Sequence, residues 1–141
     1  MTRKLDSLVA EKVMGWTYII KEDTGYSWWK IPESDPLHDD WDGHDDAQPH
    51  YSSDIAAAWE VRNKMAETHD VVVCHWLFNN EEGDNRCEIT PRQTPDECSK
   101  CGRCPPSTHF EVWAKTAELA ICIAALRAVG VPENEIQEAM Q

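Results

Sequence analysis

"KTAELAICIAALRAVG", residues 115–130, is the stretch on which the fold turns. Nearly every position from Ala117 to Val129 is apolar, no proline interrupts it, and Gly130 with Pro132 stops it. A helix that is apolar almost all round must be covered on several sides. "DVVVCHWLF", residues 70–78, is the strongest strand signal. It is apolar on both faces, which predicts a central strand. A buried helix and a buried strand in one chain imply helices layered on a sheet.

The rest of the chain supplies the other elements. Residues 3–14 carry Leu5, Leu8, Val9 and Val13 at helical spacing, and Gly15 ends that helix. "WTYIIK" and "YSWWKI" flank the turn "EDTG", a hairpin signature. "DIAAAWEVRNKMAET", residues 54–68, is a second helix capped by Ser52 or Ser53, with Ile55, Trp59, Arg62 and Ala66 on one packing side. "HFEVWA", residues 109–114, returns as a strand. The order is α-β-β-α-β-β-α, an α+β fold with helices on a small antiparallel or mixed sheet. One domain spans residues 1–132, including an acidic loop at 32–51 and a cysteine-rich excursion at 79–108. Residues 133–141 form a weakly helical C-terminal tail.

Charge narrows the partners. Against 26 acidic residues stand 13 basic ones, a net charge of −13. That field repels phosphate backbones and disfavours general binding of nucleic acid, while a basic partner is favoured. The N-terminus has no apolar signal-peptide core. The longest apolar run, "LAICIAAL", is far shorter than the roughly 20 residues that cross a bilayer. A cytoplasmic protein is expected, with no membrane contact.

Four of the six cysteines lie in the excursion 79–108: Cys87, Cys98, Cys101 and Cys104. "CSKCG" offers two thiolates on one side of a tight bend, Cys104 extends the run, and Cys87 is the nearest further thiol. A structural Zn2+ on these four would tie down a long irregular loop. His75 or His109 could replace Cys87, and two disulfides are the rival arrangement. Cys74 and Cys122, on the apolar strand and helix, read as buried and inert.

"HDDWDGHDD", residues 38–46, resembles a calcium loop, but alignment on Gly43 puts His38 and Pro49 at the first and last ligand positions. It reads as a solvated acidic loop, with Asp39, Asp40, Asp42 and His44 as the candidates for a looser divalent site.

Seven tryptophans are many for 141 residues. Trp59, Trp76 and Trp113 fall on elements expected to form the core. Trp28 and Trp29 are adjacent on a strand and must point to opposite faces, leaving one as a platform for stacking. No G-x-G-x-x-G, P-loop, G-x-S-x-G or H-E-x-x-H occurs, so catalysis is not expected.

"LVAEKVMGW" (8–16), "YSSDIAAAWEV" (51–61) and "AELAICIAALRAVG" (117–130) together resemble the small phage proteins that carry the phage ABA sandwich domain. The resemblance implies an α-β-α sandwich, a phage or prophage origin and action in the host cytoplasm. It brings no catalytic residues.

The expected role is therefore non-catalytic. The chain sequesters a ligand, such as a nucleotide signal of host defence, through Trp28, Trp29, Lys30, Arg62 and Arg92. The alternatives are an acidic inhibitor that mimics DNA against a basic host protein, or a virion accessory. The all-round apolarity of 117–129 further predicts a homo-oligomer, a symmetric dimer in the simplest case.

Overall fold

A computed structural model describes residues 2–21, 23, 24, 26–30, 32, 49–75, 84–92 and 109–141. Its elements are α1 (Thr2–Lys12), β1 (Thr17–Lys21), β2 (Tyr26–Lys30), α2 (Ile55–Ala66), β3 (His69–His75), β4 (Asn85–Pro91), β5 (Phe110–Ala114), α3 (Ala117–Ala128) and α4 (Glu133–Met140). The fold is α+β. The succession α-β-β-α-β-β-α is present, with β4 added and α4 formed by the tail.

Helix α3 is the hub. Its residues Ala120–Leu126 are buried seven in a row, which requires cover on every side of two full turns. The sheet β3-β4-β5 supplies one side, α2 a second, and α1 with α4 the remainder. The helix starts where the Thr116 side chain accepts a hydrogen bond from Leu119 N–H at 3.2 Å. It ends at Gly130, whose φ of +89° lies in the left-handed region that favours glycine. Arg127 then grips Glu133 with two bonds of 2.8 and 2.7 Å and fixes α4. Because one chain covers α3, its apolarity gives no ground for a second copy. The tail is part of the core as well, since Ile136 and Ala139 of α4 are buried.

The sheet corrects the sequence reading. The strand expected at the centre, β3, pairs only with β4 among the described strands, and β4 lies in the middle. The register is antiparallel throughout, with Val73, Cys87 and Val112 in one row and Val71, Ile89 and Phe110 in the next. Those rows face the helices, where Cys87, Ile89 and Val112 are buried. The reverse face carries Val72, Glu88 and Glu111 in one row and Cys74, Arg86 and Trp113 in another. Val72 is 51% exposed. An apolar run on both faces thus did not mean burial of both. Strand β4, "NRCEITP", was hidden in the excursion because only every second residue has to be apolar when one face meets the core.

The hairpin β1–β2 is joined to the core by aromatics. Trp16 is 1% exposed. It meets Trp29 edge-on at 6.1 Å and Tyr51 at 6.5 Å. Gly15, with φ +77°, makes the bend that delivers Trp16 to this cluster from the end of α1.

Candidate functional site

Helix α2 begins at a built junction. Asp54, rather than Ser52 or Ser53, is the N-cap: its carboxylate accepts from Ala56 N–H at 2.9 Å. Ser52 has another task, donating its backbone N–H to Asp6 of α1 at 2.8 Å. The helix then buries Ala58, Val61 and Met65. The stripe Ile55–Trp59–Arg62 was expected to be the packing side, yet it is the outer one. Ile55 is 49% and Trp59 45% exposed. Helices α2 and α3 pack on each other, and the covered side of α2 carries Ala58, Val61 and Met65. The bulky stripe is left outside.

On that stripe the guanidinium carbon of Arg62 lies 5.3 Å from the centroid of the Trp59 ring. At this distance the cation is attracted by the ring face, by about 0.5–1 kcal/mol at an exposed site. The pair orders a flat, amphipathic surface with an aliphatic neighbour, Ile55, one turn earlier. The sequence reading names Arg62 as a ligand-binding residue and puts Trp59 in the core. Trp59 was missed, and its signal was present: two helical stripes compete in "IAAAWEVRNKMA", and only one can pack.

The other expected ligand residues do not gather here. Trp29 is in the core, 4.9 Å from the Tyr18 ring, so it is not a stacking platform. The side chain of Trp28 lies outside the described residues, and Lys30 is exposed at the end of β2. Arg92 is engaged locally: its guanidinium donates to Asp70 at 3.2 Å and to the Ala66 carbonyl at 2.8 Å, closing the C-terminal end of α2.

The reverse face of the sheet holds a charged network. Arg86 donates to Glu88 and, at 3.1 Å, to Glu111, which also accepts from Trp113 Nε1 at 2.8 Å. Arg86 holds the Glu111 carboxyl below its usual range, with the Trp113 bond second, and Glu111 in turn raises the proton affinity of Arg86. An arginine bound to two carboxylates offers little to a phosphate. Glu133 is lowered likewise, by Arg127 and then Gln137. A depressed carboxyl stabilises the fold above its unfolded pKa, near 4.3, and that stability is lost as pH falls through the folded value. Acid melts from pH 6 to 3 should show this loss, and Glu111→Gln should flatten it. The effect will be a few degrees, because pairs this exposed contribute about 0.2–1 kcal/mol.

Of the proposed zinc ligands, Cys98, Cys101 and Cys104 lie outside the described residues. Cys87 does not belong to a loop; it is the central inward residue of β4. Burial pushes its thiol up to about 12 and that of Cys122 higher still. Of the replacements, His75 faces Asn85 at 3.2 Å and His109 is exposed. Among the described residues no group of three or more His, Cys, Asp or Glu could hold a metal ion. Cys74 is only partly buried and sits on the reverse face, against expectation. Thiol labelling of the native protein, read by peptide mass, should leave Cys87 and Cys122 unmodified for hours. Rapid labelling of either would show the core to be wrongly drawn.

A groove of about 360 Å3 runs between α1 and α4, lined by Lys4, Ser7, Glu11, Glu135 and Glu138 over Leu8 and Ala139. Three carboxylates and one ammonium make it acidic, in keeping with the whole chain.

The family model of the phage ABA sandwich domain matches residues 7–126. The chain belongs to this family. Its structure is similar to the 2.0 Å crystal structure of a phage protein from Bacillus cereus ATCC 14579, with a TM-score of 0.51, 25% identity and 89% of each chain covered. No curated protein matches the sequence. Within this ABA sandwich domain, "YSSDIAAAWEV" divides into two kinds of residue. Tyr51, Ser52, Asp54, Ala58 and Val61 build the junction and the packed face. Ile55 and Trp59 do neither.

Proposed function

We propose that this phage accessory domain works by binding, and that it uses the Ile55–Trp59–Arg62 face of α2 to engage a host protein with a basic surface, acting as an inhibitor or decoy. The observation that supports this reading is the half-exposed Trp59 ring, ordered by Arg62 on an otherwise well-packed helix. Tryptophan and arginine are the residues most enriched at the energetic centres of protein interfaces. A convex helix face suits a partner that brings its own groove. The net charge of −13 and the acidic α1–α4 groove favour a basic partner and speed its encounter.

A second reading, sequestration of a nucleotide, draws on the same pair: a base stacking on Trp59 and a phosphate held by Arg62. It is opposed by the overall field of the −13 net charge. Titration separates the two. Purified protein should give no heat with mono-, di- or cyclic nucleotides at micromolar concentration. Saturable nucleotide binding that Trp59→Ala removes would favour sequestration, and release of altered nucleotide would make the protein an enzyme. Capture of phage structural proteins in place of a host protein would instead favour a virion role.

A further inference from the structure

Asp6 of α1 is fully buried, 0% exposed, at the junction with the turn 50–54. Its Oδ1 accepts the Ser52 amide at 2.8 Å. Its Oδ2 and the Ser52 hydroxyl are both buried, and neither has a hydrogen-bond partner among the described residues. His50 Nδ1 stands 3.8 Å from Oδ2, beyond hydrogen-bond range, and that side chain is 51% exposed. Cys122 of α3 is also near, close enough for the Asp6 charge to raise its thiol further.

Buried carboxylate oxygens and hydroxyls are almost always satisfied, by protein or by an ordered water. A polar contact just beyond 3.5 Å is one that a water lying beside both groups can complete. We infer that the junction binds one internal water molecule, held by Asp6 Oδ2, Ser52 Oγ and His50 Nδ1. The water donates to the carboxylate, accepts from or donates to the hydroxyl, and uses its remaining site on the imidazole. Three partners is the ordinary number for a buried water. The half-exposed His50 provides the route by which it enters from solvent.

The consequence reaches beyond one molecule of solvent. The water would join α1 to the turn whose Asp54 starts α2, and so help fix the direction from which Ile55, Trp59 and Arg62 are presented. This inference stands whether or not that face binds a partner.

A crystal structure of the full chain at about 1.5 Å is the direct test. Expected is one density peak within about 2.6–3.1 Å of both Asp6 Oδ2 and Ser52 Oγ. In solution, the Ser52 amide should show a nuclear Overhauser contact to a long-lived water, weakened in Ser52→Ala. Three results would overturn the inference: a direct Ser52 Oγ to Asp6 Oδ2 bond, a His50 nitrogen closed onto Oδ2, or a cavity without a density peak. If Ser52→Ala does not fold, the wild-type crystal and amide measurements still decide.

Discussion

Trp16→Ala is expected to cost about 3–5 kcal/mol of stability, a large part of the 5–15 kcal/mol typical of a domain. The residue is 1% exposed, and its ring is the common neighbour of Trp29 in β2 and Tyr51 before α2. Its loss removes a large buried surface and two edge-on ring contacts together. It also frees the hairpin, which among the described residues has few other ties to the helices. Urea denaturation followed by circular dichroism should show the midpoint fall sharply, with the unfolding slope little changed if the transition stays two-state. Trp16→Phe, which keeps an aromatic ring, should recover part of the loss. A midpoint within experimental error of wild type for Trp16→Ala would mean that this cluster does not hold the hairpin.

Trp59→Ala should do the reverse. Stability should change by no more than about 0.5 kcal/mol, as for surface substitutions away from special features; a small loss of helix packing around Arg62 is all that is removed. Binding should fall by about 30-fold or more, the equivalent of the 2 kcal/mol that marks a hot-spot residue. Arg62→Gln should weaken binding by a smaller factor, since it removes the cation that orders the Trp59 ring without adding a charge that would itself attract a basic partner. Val72→Ala, which trims an exposed residue on the reverse face of the sheet, is the control and should leave binding intact. Two tryptophans in one small domain thus carry opposite expectations, decided by which side of their element meets the core.

That difference also marks the limit of what the sequence made legible. The hub helix could be read at once, because seven buried positions in a row leave no polar face to mislead. The hairpin and α1 followed from their periodicities. Strand β4 was illegible for the opposite reason: Arg86, Glu88 and Thr90 face away from the helices, and two inward residues, Cys87 and Ile89, are too few to stand out beside the cysteines. Reading Cys87 as part of a loop follows directly from this. The face of α2 was ambiguous in itself. Composition favours burying Trp59 and Ile55, whereas the fold buries Ala58, Val61 and Met65. Side-chain volume at a helix contact is a property of both helices, and one helix read alone does not contain it.

The candidate site was legible only in part. Arg62 was named from its charge, but its partner is an aromatic on its own helix three residues earlier, not the hairpin tryptophans. Arg92 and Trp29 were chosen for their chemistry and prove to be occupied, one with a helix end and a carboxylate, the other with the core. Availability is a structural property that residue type does not reveal.

The most direct test of the α2 face is site-specific photo-crosslinking in host cells. A photoreactive amino acid is placed at exposed position 56, one turn before Trp59 on α2, in one protein, at position 72 on the reverse sheet face in a second, and at position 138 in the α1–α4 groove in a third. A discrete adduct with one host protein is expected from position 56, weakened by raised salt before irradiation and lost when Trp59→Ala is added, and none from position 72. A stable, folded protein that yields no adduct from position 56, or yields its adduct only from position 72 or 138, would contradict this reading.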